Sequence, residues 1–260
     1  MKLLENKKAL IFGVANDHSI AWGIAKALHE QGASIGFSSI EMLIEKRVRP
    51  LAESLGSTFV EPCDVQQDAD IERVFARWQR EQGTLDILVH ALAFARREDL
   101  DGRFVDTSRA GFMLALDVSA YSMVALARAA APLMPNGGSM MTLSYYGAEK
   151  VVANYNVMGV AKSALESSVR YLAADLGPQN IRVNAISAGP IRTLAASGIA
   201  GFKQMYGKFK DIAPMRQSIT IEDVGGTAVY LASDLSRNVT GETVYVDGGF
   251  NVLGVPTPDE

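Results

Sequence analysis

Short runs of apolar residues alternate with longer stretches in which apolar positions recur every three or four residues, almost from end to end of the chain. The short runs read as buried strands and the longer ones as amphipathic helices. Strands are predicted at Lys8 to Val14, Ser34 to Ser38, Thr58 to Glu61, Leu85 to Ala91, Gly137 to Ser144, Ile181 to Ile186 and Thr243 to Val246. Helices are predicted at Ser19 to Gly32, Met42 to Leu55, Asp68 to Gln82, Arg109 to Met134, Tyr155 to Leu176 and Ile221 to Ala232. Gly32, Gly56 and Gly177-Pro178 supply the stop signals.

Strand-helix alternation of this kind is the mark of βαβ units. It predicts an α/β fold: a single-domain, Rossmann-type doubly wound parallel sheet with helices on both faces. No linker, repeat or low-complexity tract divides residues 1–260, so one dinucleotide-binding and catalytic domain is expected, with a substrate-binding loop at about 192–212. Two segments fall outside the regular pattern, Phe94 to Asp106 and Gly189 to Met215. Long connections in a compact domain are commonly binding loops or lids.

Composition narrows the class. Apolar residues make up 48% and charged residues 21%, an ordinary globular balance, and the net charge of −4 gives no basic field for nucleic acid. Cys63 is the only cysteine, which excludes an intrachain disulfide. His18, His29 and His90 are too scattered for a zinc site, and no metal is expected. Charges interrupt every apolar stretch before about 18 residues, so no membrane span is expected. Asn16-Asp17-His18 cuts short the apolar run at the N-terminus, which reads as a strand rather than a signal peptide. A cytoplasmic protein is expected.

Candidate chemistry concentrates after the fifth strand. Tyr155 and Lys162 lie seven residues apart, nearly two helical turns, and so emerge on one face. A phenol is a poor acid at neutral pH. A neighbouring ammonium favours the phenolate and is expected to lower the tyrosine pKa, which suits a group that donates a proton or binds an oxyanion. Tyr145, ten residues upstream, is placed to converge on the same pocket. Such a pair is weak taken alone. Its weight comes from following a strand, because ligands of open α/β sheets bind beyond the C-terminal ends of the strands.

The first strand-helix junction is glycine-poor. Gly13-Val14-Ala15-Asn16-Asp17-His18-Ser19-Ile20-Ala21-Trp22-Gly23 is not G-x-G-x-x-G, yet Gly13 allows a tight turn. The helix opening near Ser19 offers unpaired N–H groups to a pyrophosphate. Ser19 can serve as a hydroxyl donor to that group, as an N-cap, or as both. Asp64 is placed to accept from an adenine amino group, or else to cap the next helix. After the second strand comes Ser38-Ser39-Ile40-Glu41, with no arginine, and Glu41 would repel a 2′-phosphate. That favours NADH over NADPH.

Together these pieces resemble the bacterial enoyl-acyl-carrier-protein reductases, a divergent branch of the short-chain dehydrogenase/reductase superfamily. The likeness rests on Gly13-x5-Ser19-Ile20-Ala21, Cys63-Asp64-Val65, Tyr145-x9-Tyr155-x6-Lys162, the run from Ile186 through Gly189-Pro190 to Ala195, and Val246-Asp247-Gly248-Gly249-Phe250. It implies NADH-dependent reduction of trans-2-enoyl thioesters in type II fatty acid biosynthesis. Tyr155 would hydrogen-bond the thioester oxygen and Lys162 the nicotinamide ribose, with Tyr145 as the third catalytic group. Gly13, Ser19, Ile20, Ile40, Asp64, Val65, Leu92, Lys162, Ile191, Arg192, Thr193, Leu194 and Ala195 would contact NADH/NAD+. Ile40 lacks the polar contact a glutamine would make there. By the same resemblance Ala95 would line the acyl site. Met158, Phe202, Met205 and Tyr206, with Tyr145 and Tyr155, would line an apolar channel. Core packing is the plain alternative for Met158. The stretch Leu194 to Tyr206 would close over bound ligands. Lys203, Lys208 and Lys210 would face an acidic carrier protein or simply solvent. A homotetramer packed through helices 109–134 and 155–176 is also implied.

Two rival readings stand beside this one. A 3-oxoacyl or other short-chain ketoreductase would carry serine where Tyr145 stands and an Asn-Asn-Ala-Gly-like turn where this chain has His90-Ala91-Leu92-Ala93. A non-catalytic dinucleotide-binding regulatory protein would have no need of Tyr145, Tyr155 and Lys162.

Overall fold

A computed structural model describes residues 2–193 and 202–254, with backbone alone for residues 202–205. Seven strands form one parallel sheet in the order β3-β2-β1-β4-β5-β6-β7. These are β1 (Lys8–Phe12), β2 (Ser34–Ser39), β3 (Val60–Pro62), β4 (Ile87–His90), β5 (Gly138–Ser144), β6 (Ile181–Ala188) and β7 (Thr243–Val246). All seven predicted strands form, with ends that differ from the predicted ones by at most two residues. Chain order reverses between β1 and β4, which pair from Ala9 with Ile87 to Phe12 with His90. This is the switch point at which a crevice opens beyond the strand ends.

The helices are α1 (Ile20–Glu30), α2 (residues 41–54), α3 (Asp68–Gln82), α4 (Arg109–Leu133), α5 (Asn156–Leu176), α6 (Phe202–Ile212) and α7 (Ile221–Ala232). Helices α2 and α4 each carry a wider turn of π type, at Ile44–Val48 and Asp117–Tyr121. The two segments outside the regular pattern are partly helical: a short turn at Arg97–Leu100, another at Phe104–Asp106, and α6. Helix α1 stops at Glu30 with Gln31 as its cap, one residue before Gly32.

The sheet divides the core in two. On one face Ile24, Leu28 and Val48 pack with Val224 and Leu231 against Ile11, Phe37 and Ile186. On the other Val74, Trp78, Leu126, Leu165 and Val169 pack against Leu10, Leu88, Met140 and Val183. Because parallel strands are covered on both sides, they read as nearly continuous apolar runs. Helices α1 and α7 approach closely: a β-carbon on Gly23 would meet the backbone of Ile221.

Helix α4 corrects one sequence-based expectation. By length and composition it is apolar enough to cross a membrane, with a mean hydropathy of 1.6 over its most apolar window. Asp117 and Arg128 do interrupt it, but two charges in such a window are not disqualifying. Half of that window is buried inside the fold, as expected for a helix packed between a sheet and its neighbours.

Candidate active site

Many of the residues assigned to ligand contact follow the C-terminal end of a strand. Gly13 follows β1, Ile40 follows β2, Asp64 and Val65 follow β3, Leu92 and Ala95 follow β4, Tyr145 follows β5, and Ile191 to Thr193 follow β6. Parallel pairing in register forces this convergence, since all the strands end at one edge of the sheet.

At the switch point, Gly13 holds φ at +97°, and a β-carbon there would collide with the Ala91 carbonyl oxygen and press on Leu92. Only glycine lets the two strand ends lie this close. Helix α1 begins at once, and among the described residues the N–H groups of Ile20 and Ala21 have no partner within the protein. Ser19 occupies the N-cap position but does not cap. Its hydroxyl donates to the Asn16 carbonyl at 2.6 Å. The hydroxyl therefore shapes the turn rather than capping the helix.

Ile40 is 44% exposed at the start of α2. Asp64 is exposed and accepts from the Gln66 N–H at 3.0 Å, while Gln67 takes the α3 N-cap position. One carboxylate oxygen thus belongs to a turn, and helix capping is excluded. Val65 and Ile191 are buried, and Ile191 packs into the core. The Arg192 guanidinium stacks over the Tyr206 ring at 4.5 Å. This ties a residue assigned to the coenzyme to one assigned to substrate. Leu194 and Ala195 lie outside the described residues, as do the side chains of Phe202, Lys203 and Met205.

The tyrosines do converge. Tyr145 and Tyr155 meet edge to face, with ring centroids 5.0 Å apart. Tyr155 sits at the N-cap of α5, where Asn154 and Asn156 flank it with φ of 60° and 36°. Left-handed backbone on both sides turns the chain sharply, and asparagine tolerates it better than most residues. The Asn156 amide donates to the carbonyls of Leu100 (2.9 Å) and Gly102 (3.2 Å), fastening the loop after β4 beside Tyr155. Tyr155, Met158, Leu100, Ala115, Val157 and Ala161 form one small apolar cluster, with Ala95 and Tyr145 packed against it. Met158 is thus part of the core, packed beside both tyrosines.

Two turns along α5, the Lys162 ammonium is only 5% exposed and donates to the Leu143 carbonyl at 2.7 Å. Its other N–H donors have no partner among the described residues. Burial lowers the Lys162 pKa to about 8, against an opposing pull from the Glu166 carboxylate. Burial pushes Tyr145 up to about 12 and raises Tyr155 further, where Tyr145 and Glu166 add to the effect. The expected lowering of the Tyr155 pKa by Lys162 is thus overturned, because desolvation of the phenolate dominates. Tyr155 stands as a neutral phenol, a hydrogen-bond donor.

Several polar groups around this pair escaped sequence analysis. His90 is fully buried between Thr142 Oγ1, at 2.7 Å from Nδ1, and Ser122 Oγ, at 2.8 Å from Nε2. The Ser122 hydroxyl proton goes to the Val118 carbonyl, so Nε2 carries the imidazole hydrogen and Nδ1 accepts from Thr142. Burial, then the Lys162 charge, lowers the His90 pKa to about 3, and the ring stays neutral. Ser144 donates to the buried Glu166 carboxylate. The spacing of Glu166, four residues after Lys162, was the only sequence signal for it.

An apolar cavity of about 190 Å³ opens beside Tyr145, bounded by Tyr146, the Ser187–Pro190 backbone, Phe209 and Phe250. A larger one, about 370 Å³, lies at the opposite ends of the strands near Ser34, Thr58 and Trp78, away from the candidate chemistry.

The residues present fit a dinucleotide: a glycine turn at the switch point, open N–H groups on α1, and a buried ammonium with unused donors. Comparisons with known proteins agree. The family profile described as "Enoyl-(Acyl carrier protein) reductase" matches residues 13–251. The enoyl-[acyl-carrier-protein] reductase [NADH] of Aquifex aeolicus is 52% identical over 98% of this chain and 95% of its own length. The Bacillus cereus counterpart is 51% identical over 98% and 100%. A crystal structure of the Bacillus cereus reductase with NADP+ and indole naphthyridinone superimposes with a TM-score of 0.96 at 51% identity, over 98% of this chain and all of that one. The Anaplasma phagocytophilum reductase in complex with NAD gives a TM-score of 0.95 at 54% identity, over 98% of each chain. Matched from the Gly13 turn to the last strand, with the paired tyrosines and buried lysine in place, the chain belongs to the enoyl-acyl-carrier-protein reductase family.

Proposed function

We propose that the protein reduces trans-2-enoyl thioesters carried on acyl carrier protein to saturated acyl thioesters, using NADH, in fatty acid biosynthesis. The observation that carries this reading is the buried Lys162 ammonium, with donors left over, beneath two touching phenols. When bound, the reduced nicotinamide supplies hydride to the β-carbon of the enoyl chain, and negative charge then develops on the thioester oxygen.

Tyr155 donates its phenolic hydrogen to that oxygen. A neutral phenol in a desolvated site stabilises the developing enolate more than water does. Lys162 holds the nicotinamide ribose hydroxyls with its free N–H donors and keeps the local potential positive. Tyr145 fixes the Tyr155 ring by edge-to-face contact and walls the acyl site with Ala95 and Met158. Water protonates the α-carbon. Gly13, the α1 amides at Ile20 and Ala21, Ile40, Asp64, Val65, Leu92 and Ile191 to Thr193 form the coenzyme trough. NADH is preferred over NADPH, because the Glu41 charge at the turn after β2 would repel a 2′-phosphate. Residues 1–260 act as one catalytic unit, with the arm at about 192–212 assigned to substrate.

Assembly as a homotetramer draws support from apolar side chains left bare on α4 and α5, Met113 at 64% and Tyr171 at 73% exposure. A single monomeric mass by light scattering would remove that part of the reading. The half-buried packing of α4 supports reading it as a core helix rather than a membrane span. The central test follows NADH consumption with dodecenoyl-thioester and, separately, acetoacetyl-thioester. Oxidation with the enoyl substrate alone is expected. Turnover of the ketone alone would make the protein a ketoreductase.

A further inference from the structure

Two consecutive residues of β5 are bonded to two successive turns of α5. Lys162 donates to the Leu143 carbonyl, and Ser144 donates to Glu166. Tyr145 directly follows the strand, and Tyr155 is the N-cap of the helix. The two rungs therefore set the distance between the phenols, whose rings touch.

We propose that Glu166 is a positioning residue of the reaction: its carboxylate clasps Ser144 to hold the end of β5 against α5, on the same helix face as the Lys162 ammonium assigned to the coenzyme ribose. The proposal rests on the reading of Lys162 given above.

Four things on the structure support it. Glu166 is buried, and a buried carboxylate is costly unless it serves a partner. Its Oε1 accepts from Ser144, which fixes the side chain in one orientation. It lies at i+4 from Lys162, so the two side chains share a helix face. And its charge opposes the loss of the Lys162 proton that burial favours. Among the described residues, Glu149, Arg170, Tyr245, His90 and Tyr155 are the charged or titratable groups that act on this pair. Burial raises the Glu166 pKa, against the Ser144 hydrogen bond; Glu149, in the turn after β5, accepts from Tyr245 of β7 and adds to the rise, whereas Arg170 and Lys162 offset it. His90 stays neutral on the far side of Lys162, and Tyr155 stays a neutral phenol above it.

The test uses the full chain and two readouts, the NADH dissociation constant from fluorescence and kcat/KM for dodecenoyl-thioester, each from pH 6 to 10. Wild type is expected to lose NADH affinity as Lys162 deprotonates. Glu166→Gln keeps an oxygen for Ser144 and removes the charge. Its loss of affinity is expected to begin roughly one pH unit lower. Glu166→Asp keeps the charge but draws back from Ser144. It is expected to hold the wild-type pH limb while kcat falls several-fold. A Glu166→Gln limb that coincides with wild type overturns the proposal. Should that variant fail to fold, a shifted limb in Glu166→Asp overturns it equally. Wild type that binds no NADH at any pH would instead defeat the reading of Lys162.

Discussion

The β1–α1 turn and the β5–α5 junction stand at the same edge of the sheet, separated only by β4, but they are made of different materials. The first is almost all backbone: a glycine at φ +97°, open amides at Ile20 and Ala21, and a serine whose hydroxyl is turned inward to Asn16. The second is side chains, buried and polar, each bonded to another: Tyr155 on Tyr145, Lys162 on Leu143, Glu166 on Ser144. A backbone site binds through groups that every residue carries, so it tolerates side-chain loss and fails only when shape is lost. A buried side-chain site is the reverse. Each group there has been desolvated, its pKa has moved, and no neighbour replaces it.

Substitutions at the β5–α5 junction are therefore expected to do the greatest harm. Tyr155→Phe, which removes one oxygen and leaves the packing, should lower kcat for the enoyl thioester by about 10²-fold or more, with NADH binding nearly unchanged. Equal loss in kcat and in coenzyme affinity would make Tyr155 a binding group instead. Lys162→Ala should lose both together, and calorimetric titration with NADH separates the two cases.

The backbone site breaks only through shape. Gly13→Ala puts a β-carbon into the Ala91 carbonyl at a backbone angle that alanine resists, and should cost about 2 kcal/mol of stability. Thermal unfolding is expected to fall by roughly 5 °C, and NADH titration should show affinity reduced more than about tenfold. A Gly13→Ala protein with wild-type melting would mean that β1 and β4 move apart freely.

A pH titration sharpens the contrast next. The Lys162 pKa is depressed, so its ammonium is present below about pH 8 and is lost as pH rises through that value. Affinity for NADH should accordingly weaken above about pH 8. It should stay level between pH 6 and 7, because His90, lowered to about 3, is already neutral there. A break in the NADH binding curve near 6.5 would assign His90 a role that its buried neutral form does not support. The smallest effect is expected at Ser19→Ala. Its hydroxyl serves a local turn, and NADH affinity measured by fluorescence should change less than about threefold.

The sheet was legible because a strand buried on both faces has to be apolar throughout. All seven strands were readable from runs such as Ala9-Leu10-Ile11-Phe12 and Ile87-Leu88-Val89. The ends of those runs were less so: Gly13 and Val14 continue the apolar run but belong to the turn. Tyr145, Tyr155 and Lys162 were legible by spacing, and Gly13 by its place after a strand. Ser19 takes the N-cap position the pattern gave it without making the cap bond, because the bond its hydroxyl makes depends on the turn before it.

Periodicity and spacing, read along the chain, determined the fold class, the order of its elements, the strand ends at which ligands meet, and the three catalytic candidates, since each is a property of local pattern. The Tyr155 pKa went the opposite way from the local argument, because desolvation is set by everything packed around a group and not by its neighbour in sequence. The same holds for the neutral His90 between Thr142 and Ser122, the Asn156 amide on the loop after β4, and the Glu166 clasp on Ser144. Each joins residues from different elements, and only the tertiary structure, by bringing those elements to within hydrogen-bonding distance in a dry interior, decided which of them meet.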